Sequence, residues 1–145
     1  MGMYTEIVVA IELKRHDLPE RKVIDALRAM AAAPDEDEEP NELPDAPFFR
    51  CPRWRWLATC DSYYFAGDSH STFRFDEIAK TWFLTIRSNL KNYNDEIGCF
   101  LDWIAPYSKP RNVKDDGTYF VGYWRYEEDS DPTLIYFTTD GKVVR

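Results

Sequence analysis

The hydrophobic positions of the first part of the chain predict a β-strand followed by an amphipathic helix. Alternate residues are apolar from residue 4 to residue 14. Val8 and Ala10 make the second face apolar as well, which is typical of a strand that lies inside a sheet. A helix is expected next, and it should end at Pro34 because proline cannot continue it.

The central stretch, residues 71–104, predicts a strand, a turn, a second strand and an amphipathic helix. In the second strand one face is apolar, with Trp82, Leu84 and Ile86. Residues between them belong to the other face, because side chains alternate along a strand. The helix has an apolar stripe formed by Tyr93, Ile97, Phe100, Leu101 and Ile104. Such a stripe beside an apolar strand face implies that the helix packs on the sheet.

Short alternating segments separated by turns predict the remaining strands. Phe48–Cys60 is interpreted as an edge strand, since Pro52 is tolerated at strand starts and edges. Ser62–Phe75 is interpreted as a hairpin about Gly67 and Asp68. Two more strands are expected over Tyr119–Glu127 and Thr133–Thr138, with a brief pairing of Lys142–Arg145 after the turn at Asp140 and Gly141.

Strict alternation along residues 119–127 assigns residues to two faces of that strand. One face would carry Tyr119, Val121, Tyr123 and Arg125, and the other would carry Phe120, Gly122, Trp124 and Tyr126. Counted along the chain, the elements follow the order β-α-β-β-β-β-α-β-β. The expected fold class is therefore α+β: one domain over residues 1–145, with an antiparallel or mixed sheet of about six strands and two helices packed on one face.

The net charge of −8 is concentrated in two acidic segments. Residues 34–47 contain four prolines and seven acidic residues but no basic residue, and residues 127–131 add four acidic residues. A segment such as 34–47 cannot bury enough apolar area to offset its ordering entropy, so a flexible acidic surface loop is expected there. The remaining lysines and arginines are dispersed, which argues against direct nucleic-acid binding.

Several classes of chemistry have no signature in this sequence. No apolar run approaches the ~20 residues that span a bilayer, and the first residues do not resemble a secretory signal, so a cytoplasmic location is expected. The three cysteines and two histidines have no recognised metal-binding spacing, and glycine-rich phosphate loops are absent. We therefore expect no metal, no cofactor and no catalytic residues. A hydrolase would have to use turn carboxylates such as Asp61 and Asp76.

Two sets of residues are candidates for a binding site. Tryptophan, tyrosine and arginine dominate binding hot spots, so Trp54, Arg55 and Trp56 are candidates for a protein-binding surface. The acidic loop could assist that surface with Asp35, Glu36, Asp37, Glu38 and Glu39. Alternatively, a small nucleotide-like ligand could bind by aromatic stacking and arginine–phosphate pairing. The candidates for this second site are Tyr63, Arg87 and Arg125.

Two stretches of the chain resemble small acidic proteins encoded by bacteriophages and prophages. They are TWFLTIRSNLKNYNDEIGCFLDWIAPY and GYWRYEEDSDPTLIYF. The resemblance carries over no functional residues, but it implies a phage accessory protein that acts inside a bacterial cell. The leading hypothesis is therefore a non-enzymatic binding protein that engages or inhibits a host or phage protein. A nucleotide-like ligand binder and an unrecognised hydrolase are the alternatives, and a homodimer is compatible with each.

Overall fold

A computed structural model defines the fold and describes residues 3–14, 20–32, 40, 42–62 and 64–145. Its strands and helices, in chain order, are β1 Tyr4–Glu12, α1 Arg21–Ala31, β2 Thr72–Asp76, β3 Thr81–Lys91, α2 Glu96–Ile104, β4 Thr118–Tyr126, β5 Thr133–Thr138 and β6 Val143–Val144. Short 3-10 helices occur at Pro47–Arg50, Trp54–Trp56 and Ala105–Tyr107. None of the helices described is long and apolar enough to cross a membrane.

The six strands form a single antiparallel sheet in the order β2-β3-β1-β4-β5-β6. Two sequential pairs, β2–β3 and β4–β5, lie on either side of β1. β1 is thus an internal strand, as its two apolar faces predicted. The predicted α+β class, with an open antiparallel sheet and two helices, is confirmed.

Both helices pack on the same face of the sheet and share one core with it. The buried residues of the helices include Val23, Leu27 and Met30 from α1 and Ile97, Phe100, Leu101 and Ile104 from α2. The predicted apolar face of β3 meets them, because Leu84 and Ile86 are buried in the same cluster. The two-layer arrangement predicted from the periodicity of residues 71–104 is therefore correct.

The start of α2 lies later than its apolar stripe predicted. Tyr93 is exposed, because the helix begins at Glu96. Two side chains fix this start by accepting hydrogen bonds from the first backbone N–H groups. Asn92 Oδ1 accepts from Ile97 N at 3.0 Å, and Asp95 Oδ1 accepts from Gly98 N at 3.3 Å.

The predicted edge strand over Phe48–Cys60 is wrong. This segment forms two 3-10 turns, and the rings of Phe48, Phe49 and Trp54 pack in the core. Phe48 is fully buried, with its ring centroid 5.4 Å from that of Phe100 and 6.0 Å from that of Trp103. Burying these large rings in the core contributes more than pairing at a sheet edge would, so the chain curls instead of extending.

The predicted hairpin over Ser62–Phe75 is correct only in its second strand. β2 pairs with β3 across the turn at residues 77–80, while residues 64–71 form an irregular loop beside β3. In this loop the backbone of His70 exchanges two hydrogen bonds with that of Arg87, at 2.8 and 2.9 Å. The element order is therefore β-α-β-β-α-β-β-β, with two strands fewer before α2 and one short strand at the end.

A β-bulge at Val121 divides β4 into two parts, and the alternation of side chains between the two faces of the sheet reverses from one part to the other. Phe120 lies opposite Tyr136 and Gly122 lies opposite Ile135, so Val121 is one extra residue. An extra residue reverses the alternation beyond it. The prediction that Arg125 shares a face with Val121 is therefore wrong: Val121 is in the core, whereas Arg125 lies on the opposite face of the sheet, across from Glu6.

Two sets of predicted residues lie outside the part of the chain that the structure describes. They are half of the predicted acidic loop, residues 34–39 and 41, which include Asp35–Glu39, and Tyr63.

Candidate functional site

The face of the sheet opposite α1 and α2 is not covered by any helix within the described ranges. We call its central part, formed by Val8, Ala10, Thr85, Phe120, Tyr123, Leu134 and Tyr136, the uncovered face. Strand register aligns its members, since Val8 lies opposite Tyr123 and Tyr123 lies opposite Leu134. The face is therefore a continuous surface across β1, β4 and β5.

Large apolar side chains on the uncovered face are accessible to solvent. Phe120 is 55% exposed and Leu134 is 46% exposed. The rings of Phe120 and Tyr136 contact each other edge to face, with centroids 5.7 Å apart, and the Lys114 ammonium lies 4.3 Å from the Tyr136 ring centroid. Contiguous exposed apolar side chains of this kind are typical of interaction sites.

One end of the uncovered face carries a cluster of three charged side chains, Arg87, Glu6 and Arg125. The Glu6 side chain is only 5% exposed. Its Oε2 accepts a hydrogen bond from Arg87 Nη2 at 2.5 Å, and its Oε1 lies 3.6 Å from Arg125 Nη2. The cluster contains two guanidinium groups and one carboxylate, so it has a surplus of one positive charge.

Neighbouring residues hold the Arg87 guanidinium in place. Its Nη1 donates to Asn89 Oδ1 at 3.2 Å. Gly67 lies against the other side of the guanidinium, and a Cβ at that position would be 2.9 Å from Arg87 Nη2. The absence of a side chain at Gly67 therefore allows the loop to cover Arg87 closely.

The Arg125 guanidinium is held differently, by its ion pair with Glu6 and by a cation–π contact. Its Cζ lies 5.2 Å from the centroid of the buried Phe65 ring. Its Nε is buried, and the described part of the chain provides no hydrogen-bond acceptor for it. This donor is therefore an exception to the rule that buried N–H groups have partners.

A cavity of about 270 Å³ opens between the two arginines. Its lining consists of Glu6, Ala66, Arg87, Tyr123, Arg125 and Pro132. Three strands contribute the charged and aromatic side chains, while the loops before β2 and before β5 contribute the two small apolar ones. The cavity thus combines a rigid floor with walls from loops.

The other end of the uncovered face carries a second charged cluster around Glu12. This buried carboxylate accepts two hydrogen bonds from Arg111, at 2.8 and 3.2 Å, and its Oε2 lies 3.4 Å from Lys109 Nζ. The bidentate pairing neutralises Glu12 and fixes the loop that follows α2. Basic side chains therefore border the uncovered face at both ends.

The two candidate sets from the sequence have different outcomes. Arg87 and Arg125, proposed for a small ligand, do converge on one cavity. In the other set Trp54 packs on Phe49, with ring centroids 5.1 Å apart, whereas Trp56 is 45% exposed. The two tryptophans thus lie in different environments, and any partner role of Trp54, Arg55 and Trp56 stays a prediction.

Sequence reasoning missed Glu6, Glu12 and Phe65 as members of these clusters. A signal for the two glutamates was available in the alternation of β1. Both alternate in step with Val8 and Ala10 along β1, so they lie on the face of the sheet opposite the core. No comparable signal identifies Phe65, which belongs to an irregular loop.

Two of the three cysteines are poorly suited to act as nucleophiles. Burial raises the pKa of the Cys60 and Cys99 thiols, and the nearby Cys51 raises that of Cys99 further. A higher pKa leaves less of the nucleophilic thiolate at neutral pH. Within the described residues, no three His, Cys, Asp or Glu side chains come together as a possible metal site.

The fold and these clusters define an α+β domain whose sheet has one helix-covered face and one uncovered face bordered by charge. No protein-family model matches the chain, and no curated protein or solved structure is significantly similar to it.

Proposed function

We propose that this chain is a non-enzymatic binding protein that docks a partner protein on the uncovered face of its sheet. The observation that carries the proposal is the solvent exposure of Phe120 and Leu134 on a face that no described helix covers. A monomeric soluble protein rarely leaves neighbouring large apolar side chains exposed on an ordered sheet without a role in interaction.

The composition of this face supports a protein partner. Aromatic residues and arginine are enriched at the energetic centres of protein interfaces, and charged rims favour correct orientation. Here the exposed ring of Phe120 and the half-buried ring of Tyr136 lie between the Arg87–Glu6–Arg125 cluster and the Glu12 cluster. Because the sheet is internally paired, little conformational entropy would be lost there on binding.

The biological setting is part of the same proposal and comes from the resemblance to bacteriophage and prophage proteins. In that setting the chain is an accessory protein in the bacterial cytoplasm, and its partner is a host or phage protein. The setting determines the source of candidate partners, which is a bacterial lysate prepared with and without phage infection.

The test compares capture by the wild-type chain with capture by matched variants. Phe120→Ser combined with Leu134→Ser should abolish retention of the partner, because it removes the apolar centre of the face. Ile78→Ser is the control, since Ile78 is 94% exposed but lies in the turn between β2 and β3. The retained protein is identified by mass spectrometry and then titrated, in purified form, against each variant.

The same titration separates the uncovered face from the surface predicted by sequence alone. Trp56→Ser should leave affinity unchanged if the partner docks on the sheet. Loss of binding in Trp56→Ser, with binding retained by the Phe120→Ser/Leu134→Ser variant, would refute docking on the sheet and support the 54–56 segment. Sedimentation equilibrium of the chain alone tests whether the partner is a second copy.

A further inference from the structure

We infer that the cavity between Arg87 and Arg125 binds an oxyanion, and that its ligand is a phosphate group. The site is separate in its chemistry from the apolar centre of the uncovered face, so it stands whether or not a protein docks there. The inference rests on the charge, the free donors and the preorganisation of this cavity.

The charge of the cavity favours an anion. Two guanidinium groups meet a single carboxylate, and Glu6 is almost completely buried whereas both arginines are partly exposed. Glu6 lines the cavity together with the two arginines and pairs with both, so its single negative charge offsets only one of theirs. One positive charge is left without a counter-ion among the residues that line the site.

The hydrogen-bond donors lead to the same conclusion. A guanidinium has five N–H groups in a planar fork, which matches the oxygens of phosphate. Arg87 uses two of them, toward Glu6 and Asn89. Arg125 approaches Glu6 only to 3.6 Å, and its buried Nε has no acceptor in the part of the chain that the structure describes. The Arg87 and Arg125 side chains are partly exposed, and their remaining Nη N–H groups are the donors that a phosphate in the cavity would meet.

Preorganisation distinguishes this pair from two arginines that lie near each other by chance. Asn89 and the close approach of Gly67 restrain Arg87, and Arg125 is restrained by Glu6 and by its contact with the Phe65 ring. Donors that are already oriented lose little entropy when a ligand binds. The cavity of about 270 Å³ accommodates a phosphate group with a small substituent beside Tyr123.

The experiment follows the side-chain Nε–H resonances of the wild-type chain by NMR during titration. Inorganic phosphate should produce saturable shifts at Arg125 and Arg87, whereas sodium chloride at matched ionic strength should not. Adenosine monophosphate is titrated in a second arm. Tighter binding than phosphate would indicate that the site takes a phosphate ester, and equal affinity would indicate that it takes the phosphate group alone.

Variants give the specificity control. Arg125→Gln should weaken phosphate binding at least tenfold, and Arg125→Lys should weaken it less because it keeps the charge but loses the planar fork. Arg74→Gln should have no effect, since Arg74 is an exposed arginine on the same side of the sheet that pairs only with Asp76 among the described carboxylates.

The inference would be overturned in either of two ways. Arg125 and Arg87 could respond to phosphate no more than to chloride in the wild-type chain, which requires no variant to fold. Alternatively, Arg74→Gln could weaken binding as much as Arg125→Lys, which would reduce the effect to general electrostatic attraction. Neither result depends on whether Phe120 and Leu134 bind a partner protein.

Discussion

Substitution of Gly122 tests the link between the bulge in β4 and the uncovered face. Gly122 follows the extra residue of the bulge and lies against β1. A Cβ built on it would be only 1.9 Å from the backbone oxygen of Val8 and 2.8 Å from the Cα of Val9. Both are backbone atoms of an internal strand, so neither can move away by rotating a side chain.

The expected loss of unfolding free energy follows from the distance by which β4 and β1 would have to separate. An ordinary contact begins near 3.4 Å, so Gly122→Ala would force β4 away from β1 by about 1.5 Å at this point. Overpacking of this kind costs about 1–3 kcal/mol, and each weakened strand hydrogen bond adds about 1 kcal/mol. We expect a loss of about 3–5 kcal/mol, a large fraction of the stability of a small domain.

The assay is urea denaturation, with Gly117→Ala as the matched control. Gly117 has a positive φ of +85°, as Gly122 has one of +159°, but a Cβ at Gly117 would meet no atom within 4 Å. Its substitution should cost only about 1 kcal/mol of backbone strain. If the two variants unfold at the same urea concentration, or if Gly122→Ala lies within about 1 kcal/mol of wild type, then the close packing of β4 on β1 is wrong.

Three further changes test the core, the buried charges and the buried hydroxyl. Leu101→Ala should lose about 2–5 kcal/mol in urea denaturation, because Leu101 is fully buried, whereas Ile78→Ser should stay within about 0.5 kcal/mol of wild type. Glu6→Gln should lose about 2–4 kcal/mol, because it removes the carboxylate that two guanidiniums share; an unchanged midpoint would show that this cluster adds nothing to stability. Burial raises the pKa of Tyr119 above its ordinary 10.0, although its hydrogen bond with Ser108 opposes this. The corresponding stability is present below pH 10 and is lost as the pH rises further, so melting temperatures should fall less steeply above pH 10 in Tyr119→Phe than in wild type.

The sequence alone determined the elements whose periodicity is long and regular. β1, β3 and α2 were predicted correctly, because an internal strand needs two apolar faces and a helix that packs on a sheet needs an apolar stripe. These local patterns also imply the helix-on-sheet layering, since each apolar face must be buried against another. The α+β class was therefore accessible without coordinates.

The segments that were predicted wrongly are those in which tertiary packing overrides the local sequence pattern. Residues 48–60 alternate like a strand, yet Phe48 and Trp54 contribute more as core rings than they would in an edge strand. The bulge at Val121 is a single extra residue, and its effect is to reverse the face of every residue after it in β4. Strict alternation therefore assigned Arg125 to the same face as Val121, which is wrong.

The candidate sites depend on strand order, which only the tertiary structure decided. Glu6 and Arg87 are 81 residues apart in sequence, and Glu6 meets Arg125 only because β1 lies between β3 and β4. Periodicity indicates which residues of one strand share a face, but it carries no information on which strands become neighbours or in what register. That choice is made by non-local burial and hydrogen bonding across the sheet, so the convergence of two arginines on one buried glutamate is a property of the folded chain.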